Sequence, residues 1–186
     1  LAEQVEIGLQ RLYTYQNVDG GWGWWSNEES NPFVSTYVVY GLLLARDAGA
    51  AVDEKVLDRG LSYLERQLQA PRDLDDDALN RQAFMLYVLA EAGRGSVGRS
   101  VATYDARERL AHYAQAFLAL ALAELDTVSA TSVTPPSTVT STASITPSAT
   151  LTATVEVSGS LRARADTLLD NLRGAVVESA AGAHWE

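Results

Sequence analysis

Three carboxylates that lie close together in the sequence could perform acid–base chemistry. Asp73, Asp75 and Asp76 flank Leu74, and paired carboxylates can hold one proton at a raised pKa. They also follow Pro71 and immediately precede an apolar segment, where carboxylates cap free N–H groups and interact favourably with the helix dipole. We therefore predict that these residues begin a helix, and a catalytic role stays open as the second hypothesis.

Other residue types that carry chemistry are sparse. The two histidines, His112 and His184, lie in different segments and lack the spacing of a zinc site. The chain has no cysteine, which excludes disulfides, thiol nucleophiles and thiolate metal sites within it. No serine lies in a nucleophile-elbow pattern and no glycine-rich phosphate loop occurs. We expect no catalytic residue, no metal site and no cofactor.

The most specific local signal is a loop rich in glycine and tryptophan. Its notable members are Gln16, Asp19, Gly20, Gly21, Trp22, Trp24 and Trp25. Two glycines permit a tight turn with positive φ, the Gln16 amide can bond free backbone groups at a helix end, and a nearby indole can pack over it. We predict mainly a loop that fixes one helical hairpin. The alternative is that the tryptophans line a binding surface.

Hydrophobic spacing divides the chain into helices of two alternating kinds. Amphipathic helices with one wet face are predicted at 1–12, 54–69 and 161–178, and helices that are apolar nearly all round at 34–48, 78–92 and 110–125. A shorter, more polar stretch at 101–109 precedes the third apolar helix. The apolar helices are expected to be buried on most sides.

A weak internal repeat runs through these helices. The segment 43–49 echoes 88–93, with Gly49 and Gly93 at the helix C-terminus, and 120–125 is a looser third copy. An outer amphipathic helix followed by an inner apolar helix, repeated, is what a double-layered helical ring requires. The predicted fold is all-α, a partial α/α toroid of about three helical hairpins plus one further outer helix.

The composition changes abruptly at residues 127–160, which are rich in Ser, Thr and Pro with Glu156 as their only charge. Such a segment has few large apolar groups to offset its ordering entropy, so we predict a surface insertion or linker, part of which could pair as a β-hairpin. The predicted organisation is therefore toroid hairpins at 1–126, the insertion at 127–160 and a further toroid helix at 161–186.

Overall composition narrows the functional classes. The 186 residues suit one ordinary domain, and 24 acidic against 14 basic residues give a formal net charge of −10, which disfavours nucleic acid as a partner. No apolar stretch approaches the roughly 20 residues that a bilayer span needs, and no signal peptide is evident. Because the sequence begins inside a helical pattern, we expect it to be a segment of a larger protein.

The spacing Gln16-x-x-x-Gly20-x-Trp22 resembles the glutamine–tryptophan motif of the α/α-toroid superfamily. That group includes terpene cyclases, protein prenyltransferases and the thioester domains of alpha-2-macroglobulins and complement proteins. The greatest similarity is to the bacterial alpha-2-macroglobulins, through the segments 15–25, 35–38, 87–93 and 184–186.

This resemblance implies a role in a larger, extracellular, cell-surface or periplasmic protein. Such proteins present bait to proteases, change shape on cleavage and trap the attacker, so the implied partners are proteases and other domains of the same parent chain. In many members a Cys-x-Glu-Gln thioester acylates the protease. Because this chain has no cysteine, the thioester either lies upstream of Leu1 or is missing from the parent, and no reactive residue is transferred here.

Two other functions are kept as alternatives. A class II terpene cyclase would use the carboxylates at 73–76 to protonate an alkene, although such enzymes normally carry several glutamine–tryptophan repeats. A helical carbohydrate-binding module would use Trp22, Trp24 and Trp25. A prenyltransferase is disfavoured because its zinc site needs a cysteine.

Overall fold

A computed structural model of the chain describes residues 2–26, 28–131, 149–179 and 182–185. Within these ranges the chain forms seven α-helices and two short strands. The helices are α1 (Ala2–Thr14), α2 (Pro32–Asp47), α3 (Glu54–Gln67), α4 (Asp76–Glu91), α5 (Val97–Asp105), α6 (His112–Thr131) and α7 (Ala149–Gly174). The strands are β1 (Val176–Ser179) and β2 (Gly182–Trp185), and single turns of 3-10 helix precede α4 and α6.

The helices form three consecutive hairpins and one further helix. The hairpins are α1–α2, whose helices share one apolar cluster, α3–α4 and α5–α6, while α7 packs along α6. The second helices of the hairpins are also neighbours of one another, because α4 contacts both α2 and α6. They form the inner layer, and the predicted all-α partial toroid is confirmed.

The helix α4 separates two buried clusters of apolar side chains. One face contributes Phe84, Met85, Val88 and Leu89 to a cluster shared with α1, α2, α3 and the loop after α1. The other contributes Leu79, Ala83, Leu86 and Ala90 to a cluster shared with α6 and α7. A helix that is packed on two sides has no solvent-exposed face, which accounts for its apolar sequence.

The other two inner helices are less buried than their sequences predict. On α2, the side chains of Phe33, Tyr37 and Leu44 are exposed, and so are Tyr113 and Leu120 on α6. The physical reason is position: α4 lies between two inner helices, whereas α2 and α6 each have one such neighbour among the described residues. Each therefore keeps an open apolar face.

The predicted capping role of the acidic segment is confirmed for Asp75. Its carboxylate accepts a hydrogen bond of 2.7 Å from the backbone N–H of Ala78 at the start of α4. Asp76 lies in the first turn of α4 and forms an ion pair of 2.8 Å with Arg109. Asp73 ends the preceding 3-10 turn. These carboxylates thus stabilise the N-terminus of a helix, where the helix dipole favours negative charge.

The two glycines of the internal repeat end their helices in the same way. Gly49 and Gly93 have φ values of +85° and +71°. The N–H of Gly49 bonds the Arg46 carbonyl at 2.9 Å, and the following N–H reaches back to Ala45 at 2.9 Å. The same pair of bonds follows Gly93. This is the Schellman arrangement, which needs a left-handed residue that glycine supplies without strain.

The C-terminal region differs from the prediction of a helix at 161–178. The helix α7 already begins at Ala149 and ends at Gly174, after which β1 and β2 pair antiparallel with Val176 opposite Trp185. Glycine weakens a helix, and the β-branched Val176 and Val177 favour a strand. Helices α6 and α7 also extend into the 127–160 segment, whose residues 132–148 lie outside the described residues.

Two further features of the described residues bear on function. His112 begins α6 and His184 lies in β2, and these ranges hold no group of three or more potential metal ligands. None of the described helices combines the length and hydrophobicity needed to cross a membrane.

We expect Asp75→Ala to lower the free energy of unfolding by about 1 kcal/mol, because the Ala78 N–H loses its partner. Asp75→Asn keeps a capping oxygen and should retain most of the stability. Thermal or urea unfolding followed by circular dichroism measures both variants. Equal stability of the alanine variant and the parent would show that the cap contributes nothing.

Candidate functional site

The indole of Trp22 is the centre of the loop between α1 and α2. It is 2% exposed, and its Nε1–H donates a hydrogen bond of 2.8 Å to the carbonyl of Leu12 in the last turn of α1. Its backbone N–H donates to the Ser35 hydroxyl at 2.8 Å, and its carbonyl accepts from Asn31 at 2.8 Å. Trp22 thereby satisfies a free carbonyl at the end of one helix and binds the first turn of the next.

The ring of Trp22 lies against a glycine within α3. A Cβ at Gly60 would come within 2.8 Å of Val39, closer than real Cβ atoms approach, and within 3.0 Å of the indole, which is tighter than most Cβ contacts. Only glycine therefore lets α3 lie so close to α2 and the ring. We did not predict this role, although an isolated glycine inside the otherwise regular pattern of α3 was the available signal.

The side-chain amide of Gln16 joins the loop to α3. Its Nε2 donates hydrogen bonds of 2.9 Å to the carbonyls of both Gly20 and Val56, and its Oε1 accepts from the guanidinium of Arg59. A glutamine suits this position because its amide supplies two donors and an acceptor at once. Gln16 thus bonds its own loop and the neighbouring hairpin through one group.

Asp19, Gly20 and Gly21 form the tight turn of the loop. The Asp19 carboxylate accepts from the N–H of Gly21 at 3.0 Å and from the hydroxyl of Ser30 at 2.7 Å. Gly20 has a φ of +92°, and a Cβ there would collide with the Arg59 carbonyl. Both the backbone conformation and the available space therefore require glycine at this position.

The returning half of the loop is bound to the first half and to α3. The Asn17 amide donates to the Glu28 carbonyl at 2.9 Å and to the Ser30 hydroxyl at 3.0 Å. The Tyr63 hydroxyl donates to the Ser30 carbonyl at 3.2 Å. Burial raises the pKa of this hydroxyl, and the charge of Asp19 raises it further. Tyr63 therefore remains a protonated donor.

The three tryptophans of the loop do not form one surface. Trp22 is buried, whereas Trp24 and Trp25 are 62% and 77% exposed. The structure thus separates the predicted site residues into two groups. Gln16, Asp19, Gly20, Gly21 and Trp22 hold the hairpin together, and Trp24 and Trp25 are exposed to solvent.

A ladder of aromatic rings extends from the loop across the inner helices. Its members, which we call the aromatic ladder, are Trp24, Phe33, Tyr37, Tyr40, Phe84, Tyr87 and Phe117. Successive ring centroids lie 4.6–6.4 Å apart, for example 4.9 Å between Tyr37 and Phe84 and 4.6 Å between Phe84 and Phe117. We did not predict the ladder, because ring contacts between hairpins do not follow from helical spacing.

Comparison with known sequences identifies bacterial relatives. No protein-family model matches the chain. An alpha-2-macroglobulin of Thermotoga maritima is 36% identical over 115 residues, which is 61% of this chain and 7% of that protein. The chain thus spans only a small part of the length of the curated relatives that it matches.

Solved structures share the fold. In Escherichia coli alpha-2-macroglobulin activated by porcine elastase, the matching region has a TM-score of 0.59 and 25% identity, covering 65% of this chain and 12% of that one. The native conformation of E. coli alpha-2-macroglobulin gives a TM-score of 0.62 with 21% identity, covering 88% of this chain and 9% of that one. The predicted resemblance to bacterial alpha-2-macroglobulins is confirmed.

We expect Gly60→Ala to destabilise the protein by about 1–3 kcal/mol, since the new methyl group would displace Trp22 or Val39. Gly41→Ala is the matched control, because Gly41 also lies in a helix and nothing lies within 4 Å of its Cβ position. The control should stabilise by about 0.5–1 kcal/mol through helix propensity. Urea unfolding measures both, and equal effects would contradict the close contact.

Proposed function

We propose that this chain, which is similar to a segment of bacterial alpha-2-macroglobulins, forms part of the thioester-domain toroid of a broad-range endopeptidase inhibitor. In this role it acts as a scaffold and an interaction surface within a protease trap. The observation that carries the proposal is the 36% identity to a bacterial alpha-2-macroglobulin, which extends over 115 residues and therefore far beyond the loop. The implied location is extracellular, at the cell surface or periplasmic.

The chemistry of the trap would reside elsewhere in the full-length protein. This chain has no cysteine and so contributes no thioester sulfur. The solved neighbour that was activated by porcine elastase supports proteases as partners of the whole protein. The part played by this segment is then mechanical: it must keep its shape while the parent changes conformation.

The open faces of α2 and α6 support a role in domain contacts. Tyr37, Leu44, Tyr113 and Leu120 are 49–60% exposed, and the aromatic ladder joins these two helices through α4. On each helix the two residues are seven positions apart and so lie on one face, and exposed apolar faces of this kind mark interaction sites. We assign it to contacts with further domains of the same parent chain.

The geometry gives less support to the two alternatives. A terpene cyclase would need Asp75 as an acid in an enclosed cavity, whereas Asp75 is exposed and its carboxylate caps α4. A carbohydrate-binding module would need three tryptophans on one surface, whereas Trp22 is buried and its Nε1–H is bonded to Leu12.

Trapping by the full-length protein is tested with trypsin. We expect that trypsin mixed with the protein loses activity on a large protein substrate and keeps it on a small peptide, because an enclosed protease remains reachable only by small molecules. Equal activity on both substrates would contradict the trapping function, and a helical binding module would remain as the hypothesis.

The interaction surface is tested with Leu120→Glu in the full-length protein. We expect the variant to protect trypsin from the large substrate less well, because burying the new carboxylate in a domain contact is costly. Gln4→Glu adds the same charge at an exposed position of α1 and should behave as the parent does. If both variants trap as well as the parent, this face makes no domain contact that trapping requires.

A further inference from the structure

An aromatic cavity on the loop is open to solvent. It has a volume of about 350 Å³, and its walls include Tyr15, Trp24 and Trp25. These three side chains are 54%, 62% and 77% exposed. Exposed indoles gathered around a cavity are typical of binding sites, since such surface is costly to leave in water.

An acidic cleft adjoins this aromatic cavity. The cleft has a volume of about 740 Å³, and Asp19, Glu28 and Glu29 are among the residues that line it. The two cavities share Tyr15 and Ser26. Together they form one continuous surface, which we call the loop groove, with aromatic rings at one end and carboxylates at the other.

Two carboxylates of the loop groove have no cationic partner in the described part of the chain. Neither Glu28 nor Glu29 forms an ion pair there, and no lysine or arginine is among the residues that line the cleft. Two arginines of the adjacent α3 reach the other edge of the cleft, where Arg59 donates to Gln16 and Arg66 donates to the Asp19 backbone carbonyl at 2.5 Å. The net charge of −10 adds to the attraction that this groove exerts on cations.

The rings and the carboxylates are held close together by the loop itself. The Trp25 N–H donates to the Glu28 carboxylate at 3.2 Å. Gly23 lets the two halves of the loop approach, because a Cβ there would lie 2.9 Å from the Glu29 carbonyl. A site whose groups are positioned before binding loses less entropy when a ligand arrives.

We propose that the loop groove binds an arginine-containing, extended segment of a partner protein. The planar guanidinium stacks on an indole and pairs with the carboxylates of Glu28 or Glu29, while a neighbouring apolar side chain enters the aromatic cavity. A glycan could also stack on the rings, but as a neutral ligand it would leave the carboxylates uncompensated. The aromatic cavity borders α2 through Val34 and Val38, but peptide binding is measured without a protease, so failure of this inference and failure of trapping are distinguishable.

The probe is a fluorescein-labelled, end-blocked octapeptide that contains a single Leu-Arg-Leu sequence. Its counterpart carries citrulline, which has nearly the shape of arginine without the charge. Fluorescence anisotropy with the full-length protein, without any protease, should show at least about tenfold tighter binding of the arginine peptide. Raising the salt concentration should reduce this preference.

Substitutions in the loop groove then assign the contacts. Trp25→Ala should weaken binding of the arginine peptide by about tenfold. The double variant Glu28→Gln with Glu29→Gln keeps an oxygen that can accept from the Trp25 N–H, and it should remove the preference for arginine over citrulline. The double variant Glu3→Gln with Glu6→Gln removes the same charge from exposed positions of α1, and it should change the affinity by less than about twofold.

Three results would overturn the proposal. These are equal affinity for the two peptides, a loss of binding in the α1 control as large as in the groove variant, and no detectable peptide binding. If chitotetraose instead binds and loses affinity on Trp25→Ala while neither peptide binds, the groove is a carbohydrate surface.

Discussion

The burial of one indole fixes how the first three helices meet. Trp22 bonds the end of α1, its backbone binds the start of α2, and its ring rests on Gly60 in α3. Burying an indole of about 150–250 Å² stabilises by roughly 4–6 kcal/mol as an upper bound. Three helices from two hairpins therefore meet at a single side chain. The hydrogen bonds of Gln16 and Asp19 shape the loop around this ring, and the exposed Trp24 and Trp25 keep their positions because Trp22 does.

In the inner layer, too, one element is shared between neighbouring hairpins. The helix α4 has apolar neighbours on both sides and belongs to two clusters, so it couples the first hairpin to the third. The aromatic ladder follows this coupling, with Phe84 of α4 in contact with Tyr37 of α2 and Phe117 of α6. The outer helices contact the inner layer to different extents. Arg94, which follows α4, links this layer to the outer helix α3 through ion pairs of 2.7 Å with Asp58 and 2.6 Å with Glu65.

Much of this architecture could be predicted from local pattern. The predicted helices at 34–48, 54–69 and 78–92 end within two residues of α2, α3 and α4, because caps, glycines and helical spacing are local signals. The helix predicted at 161–178 instead spans Ala149–Gly174. The Ser, Thr and Val residues of its first half show no clear helical spacing, and the packing of α7 on α6 is a long-range contact that local pattern does not reveal. In the loop, composition indicated Gln16 and Trp22, but the partners Gly60 and Ser35 could not be predicted. Their roles exist only once separate segments meet.

The attachment of α1 has a mechanical consequence. Residues 3–8 are all exposed, and a cavity of about 560 Å³ separates this half of the helix from the end of α2. The other half is held by Leu9, by the Trp22–Leu12 bond and by the Tyr13 hydroxyl, which accepts from the Asp53 N–H at 2.9 Å. The helix is therefore a lever anchored at one end. A sideways force on its first turns is concentrated at those few contacts, whereas the inner layer is held by two buried clusters.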